Sequence, residues 1–342
     1  IIISNLQINS MNLDLNSLTS IITDKGFPQS GLTVKKGIIT VNKFKVLDLK
    51  AKDISSDIQI EKNIVKLSNI AAGAYSGNIE GKIDYDTANS VIDMNITGKG
   101  LDIKNSLYDL LKIQDDLEGK YNFAAKLSMI TGEYNDVLKS LNGNIKFSAY
   151  NGKMGTLGKF EYYLYAQNLL YHGLLNATLN RIADAIKRDN TAKYKQASGT
   201  LLFQNGYMLS DGIETTGINM SLYMKGKHNL ITNMSNIDIY GRISDEVKSK
   251  LGSFGNTSFA DVFNSKEEKK NLNTITLPAA ITAKIPDLYN HQEDKTNMFK
   301  VNIYGNINAL NSINSFVWIV PDNLGETQEK LPDFSDIMKE DI

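Results

Sequence analysis

The chain is 342 residues long, has no cysteine, and is almost neutral, with 37 Lys and Arg against 38 Asp and Glu; 42% of its residues are hydrophobic. Zero cysteine excludes disulfides, thiolate zinc sites and thiol catalysis, and the lack of a basic excess argues against nucleic acid as a main partner. The length allows two or three compact domains or one extended sheet. The chain opens on Ile1-Ile2-Ile3 without Met, basic n-region or cleavage site, and no run reaches about 18 uninterrupted apolar residues. It reads as part of a longer protein, so a missing signal or anchor means little here.

In chain order, Ile1–Asp14 alternates weakly through Leu6, Ile8, Met11 and Leu13 and reads as an incoming strand. Leu18–Thr23 is a short helical candidate ended by Gly26 and Pro28. Gly37–Asp48 offers Ile39, Val41 and Phe44 as buried positions. Ser56–Ile60 and Ile64–Ile70 form a hairpin about Glu61-Lys62-Asn63. Ala74–Asp84 and Val91–Thr97 form a second, with Ile79, Gly81, Ile83 and Tyr85 facing Ile92, Met94 and Ile96. Ser106–Lys112 is a short leucine helix. Leu117–Met129 alternates most clearly: Leu117, Gly119, Tyr121, Phe123, Ala125, Leu127 and Met129 share one face, and Glu118, Lys120, Asn122, Ala124, Lys126 and Ser128 the other. Period two over this length predicts a sheet with one apolar and one wet face. Tyr134–Leu141 is a second short helix, and Leu141–Phe147 returns to strand with Ile145 and Phe147 inward.

Phe160–Arg188 breaks the pattern. Phe160, Tyr163, Leu164, Leu170, Leu174, Leu175, Leu179, Ile182 and Ile186 recur at helical spacing, and Tyr162, Tyr163, Tyr165 and Tyr171 crowd its first half. The segment reads as an amphipathic helical pair packed on the sheet, or as a helix at a membrane interface, where tyrosine is favoured. Strand grammar returns in Ala197–Gln204, with Leu201 and Phe203 inward, in Met220–His228 and in Ile237–Ile243. A polar stretch, 251–273, is expected as a mobile loop. Phe299–Ile307 and Ile313–Val320 close the series before an acidic tail. The expected fold is mainly β with helical insertions, an elongated, curved antiparallel sheet forming an apolar groove or half-barrel.

No constellation carries chemistry. His172, His228 and His291 have no ligand spacing. Gly152–Lys159 lacks the Walker A spacing and places Phe160 where Ser or Thr must meet magnesium. Gly98-Lys99-Gly100 lacks the third glycine of a dinucleotide fingerprint. Asp84 with Asp86, and Asp115 with Asp116, read as solvated charge on strand and turn. No enzyme, cofactor or metal is expected. A one-sided apolar sheet must instead be covered by a second sheet, by helices or by lipid chains, because large exposed apolar patches are rare.

Gly37–Met154 resembles the C-terminal conserved region of the AsmA-like family of bacterial envelope proteins. The residues that carry the resemblance are the turn Ala74-Tyr75-Ser76-Gly77 with Asn78-Ile79-Glu80-Gly81, then Gly98-Lys99-Gly100-Leu101-Asp102-Ile103 leading into a leucine helix. Leu117-Glu118-Gly119 and Leu141-Asn142-Gly143 follow, each opening a strand, with Asn151-Gly152-Lys153-Met154 at the end. Ser76 stands where the family usually has glycine. Gly155–Gly252 is loosely similar to the YhdP-like members. The resemblance implies a β-groove related to bridge-like lipid-transfer proteins, in the periplasm, anchored to the inner membrane by a segment absent from this sequence. The organisation then reads as an incoming strand and short helix (1–36), the AsmA-like groove (37–154), a helical insertion (155–196), continuing groove (197–320), and an acidic tail or linker (321–342). It implies phospholipid, the inner and outer membranes and an envelope partner protein as partners. The lining mapped from it is Ile92, Met94, Ile96, Tyr121, Phe123, Leu127, Ile145, Phe147, Leu201 and Phe203, with Tyr162, Tyr163, Tyr165 and Tyr171 as membrane-interface candidates. The competing expectation is a structural or assembly factor for the outer membrane, whose apolar face is covered by its own helices or a partner protein.

Overall fold

The computed structural model describes residues 1–14, 31–46, 48–111, 117–154, 193–217, 220–243, 274–277, 298–306 and 313–321. The helix expected at Leu18–Thr23, the helical segment Phe160–Arg188, the loop 251–273 and the acidic tail lie outside these residues. The described residues are mainly β-strand, with both parallel and antiparallel pairings. Among the described residues no helix is long and apolar enough to cross a membrane. The chain divides into two compact units, one of Ile1–Gln114, Glu118–Ala149 and Leu201–Met208, the other of Asp115–Leu117, Tyr150–Thr200 and Leu209–Ile342.

In the first unit, β1 (Ile2–Ile3), β2 (Leu6–Ser10) and β3 (Leu13–Asp14) pair in succession with β4 (Thr33–Val46), all in parallel. The sheet was expected to be antiparallel throughout. Residues 15–32 separate β3 from β4, longer than the dozen or so residues a parallel crossover needs, whereas a tight turn would have forced an antiparallel pair. From β4 onward the chain is an antiparallel meander through β5 (Leu49–Glu61), β6 (Ile64–Ala74), β7 (Gly77–Asp86), β8 (Val91–Asp102) and β9 (Leu117–Ile130). Helix α1 (Ile103–Leu111) joins β8 to β9, and α2 (Tyr134–Ser140) joins β9 to β10 (Asn142–Met154), which pairs with β9.

β11 (Lys193–Gln204) and β12 (Tyr207–Gly217) follow. In the second unit β13 (Met220–Asn229) and β14 (Met234–Ile243) form a hairpin; β16 (Met298–Asn306) pairs with the other edge of β14 and β17 (Ile313–Pro321) with β16, all antiparallel. β15 (Thr274–Leu277) lies parallel to β17. The sequence reading missed β12, where Asp211-Gly212 interrupts the alternation, and β15, which is only four residues long.

Local chemistry explains several boundaries. Ala74 pairs with Gly77, so Tyr75 and Ser76 are the two central residues of a hairpin turn. Both have positive φ, 48° and 64°, as a type I′ turn requires. Left-handed backbone costs a non-glycine residue about 1–2 kcal/mol, which gives a physical reason for glycine in place of Ser76. Gly119 and Gly143 open β9 and β10 with nearly the same φ, 120° and 125°, a conformation only glycine adopts readily. At Gly143 a Cβ would collide with the Lys126 carbonyl of β9. The two leucine-x-glycine motifs are therefore one backbone device used twice.

Ser76→Gly removes the left-handed penalty at the cost of a more flexible unfolded chain. It is expected to raise the thermal midpoint by a few degrees, a net gain of about 0.5–1 kcal/mol. Gly143→Ala is expected to lower the midpoint substantially; calorimetry on both variants checks the pair.

Candidate functional site

The cross-strand register of the first unit aligns its apolar residues into rows. One runs Leu6, Gly37, Ile58, Leu67, Ile83, Met94 and Leu127 from β2 through β9. A second runs Val34, Ile60, Val65, Tyr85, Ile92 and Met129, a third Ile70, Gly81, Ile96 and Ala125, and a fourth Ala72, Ile79, Gly98 and Phe123. At about 4.8 Å between strands, the first row spans roughly 29 Å, similar to the roughly 30 Å hydrocarbon thickness of a bilayer. The opposite face carries Lys66, Glu80, Lys82, Asn95, Lys120 and Lys126, all exposed.

The apolar rows are not a fully withdrawn core. Val34, Ile58 and Ala125 are buried, but Leu67, Ile83, Tyr85, Ile92, Met94, Ile96, Phe123, Leu127 and Met129 are half-buried. Side chains of this kind in a closed core are usually withdrawn almost completely from water.

Of the residues expected to line a groove, Ile92, Met94, Ile96, Tyr121, Phe123 and Leu127 are brought onto one face by the β8–β9 register. Ile145 and Phe147 of β10 are half-buried, with Lys146 between them exposed. Leu201 and Phe203 belong to the same unit, Leu201 half-buried and Phe203 buried. Tyr162, Tyr163, Tyr165 and Tyr171 lie outside the described residues. Sequence reasoning missed the contributions of β4, β5 and β6 to these rows. Their alternation is interrupted by register shifts between Val34 and Gly37, between Lys52 and Ser55, and between Leu67 and Ile70, which hide a period of two from a simple scan.

The segment Gly98–Ile103 organises one end of this face. Between Gly98 and Leu101 the β8–β9 register slips by one residue. Gly100 takes φ 67°, and its N–H donates to Asn122 Oδ1 at 2.8 Å. A Cβ on Gly98 would strike the Phe123 ring and come within 2.6 Å of Leu101 Cδ1, so this glycine makes room for the aromatic side chain across from it. The Tyr121 and Phe123 rings stack with centroids 6.0 Å apart. Leu101 and Ile103 are buried. Asp102 then caps α1, its Oδ1 accepting from the N–H of Asn105 at 3.0 Å, the bond an N-cap makes to the third helical residue.

Helix α1 packs near β5 and β8 and is held by a polar latch. Tyr75 donates its hydroxyl to Asp109 Oδ2 at 3.1 Å and accepts from the Lys50 N–H at 3.3 Å. Lys50 Nζ stands 3.8 Å from the same carboxylate. Burial, then the Asp109 bond and charge, push the Tyr75 hydroxyl up to about 12, against the Lys50 N–H, which pulls it down. Burial also pushes Tyr121 up, although a hydrogen bond with Ser106 of α1 opposes it. The strained turn residue Tyr75 is thus tied to the helix that ends at the apolar face.

Tyr75→Phe is expected to cost about 1–2 kcal/mol in urea unfolding, because the half-buried Asp109 carboxylate loses a hydrogen-bond donor. The pH dependence has a definite sign. The folded pKa, about 12, lies above the value near 10 of an unperturbed tyrosine, so the folded state keeps the proton longer. The associated stability is fully present below about pH 10 and is lost as pH rises through about 12. Alkaline unfolding curves of wild type and Tyr75→Phe are expected to converge over that window; parallel curves would show the latch contributes nothing. Tyr194, also pushed up to about 12 by burial, is common to both proteins and cancels in the comparison.

A model of the AsmA family matches residues 5–224. The match reaches beyond Gly37–Met154 in both directions and takes in β2, β11 and β12. No curated protein and no solved structure matches the chain. The match covers nearly two thirds of the sequence and includes the turn, glycine and helix-cap motifs whose geometry is described above. The chain belongs to the AsmA family, which is associated with envelope assembly and lipid transport.

Proposed function

We propose that this chain is a non-catalytic, periplasmic segment of an envelope protein, that it binds phospholipid acyl chains along the apolar face of β2–β9, and that it supports lipid transport between inner and outer membranes. In this reading a segment outside the sequence anchors the protein to the inner membrane. The observation that carries the proposal is the set of continuous, half-buried apolar rows on one face of the first unit. Half-buried rows retain apolar area that a hydrocarbon chain can cover. Burying each methylene contributes about 0.8 kcal/mol, so ten would supply roughly 8 kcal/mol before the cost of association.

The lining residues in this reading are Ile92, Met94, Ile96, Tyr121, Phe123, Leu127, Ile145, Phe147, Leu201 and Phe203. Helix α1, latched through Tyr75 and Asp109, bounds one end. The half-buried rows favour the lipid reading over an assembly factor whose apolar face is filled by protein, and the family association fits both.

Two measurements separate these readings. A photoreactive phenylalanine analogue at Phe123, in cells with radiolabelled phospholipid, is expected to give a lipid adduct, and the same analogue at the exposed Lys120 is expected to give none. A protein adduct at Phe123 in place of lipid would favour the assembly reading. Phe123→Glu is expected to abolish lipid co-purification while the chain still folds, because a half-buried site lets the carboxylate reach water. Unfolding would instead mark a filled core, where an unpaired charge is costly.

A further inference from the structure

We draw no further inference here: the strongest candidate, the surface patch of exposed lysines at the α1 end of the first unit, where register sets Lys43 opposite Lys52 and continues the row through Gly73 and Asn78 to Lys99, carries nothing, because Asp14, Asp53 and Asp109 stand at the same end and nothing among the described residues shows what covers it.

Discussion

The architecture of the first unit depends on cross-strand register. A strand alternates its side chains, so a slip of one residue would transfer every apolar group to the wet face. From β2 to β9 the register holds seven strands in one phase, so that Leu6, Ile58, Leu67, Ile83, Met94 and Leu127 fall in a single row. At one of the register shifts, Gly98–Leu101, the slip is absorbed by Gly100 at φ 67°, whose N–H donates to Asn122 Oδ1. The face resumes beyond it with Leu101 opposite Tyr121.

That constraint accounts for the family motifs in physical terms. The tyrosine turn is a tight hairpin whose hydroxyl reaches 34 residues along the chain to Asp109, so strain in the turn is balanced by a bond to the helix. Gly98 gives space to Phe123, Asp102 caps α1, and Gly119 and Gly143 supply one backbone conformation at two strand starts. They position an apolar face and bound it.

The two units use the same strand grammar with different results. In the first, charged side chains of the wet face are in solvent and the apolar rows are half-covered. In the second, tyrosines and lysines are drawn inward and make a polar network around Tyr240 and Asp238. A buried polar face is costly unless its groups are bonded, and here Asp238 is bonded to Lys300, Asn302 and Tyr240.

The alternation in Ala74–Thr97 and Leu117–Met129 was sufficient to place β7, β8 and β9 and to name the faces of Ile92, Met94, Ile96, Phe123 and Leu127, because period two is written directly in the order of residues. The family was legible from the turn and glycine motifs for the same reason: each is a local backbone requirement. The sequence could not show that β1, β2 and β3 run parallel to β4, because strand direction follows from where a long connection returns. Nor could it show the rows through β4, β5 and β6, which emerge only after register shifts are resolved, or the Tyr75–Asp109 latch and the lysines about Tyr240, which join residues distant in the chain. Local periodicity is a property of neighbours; direction, row continuity and charge convergence are decided by long-range pairing in the tertiary structure.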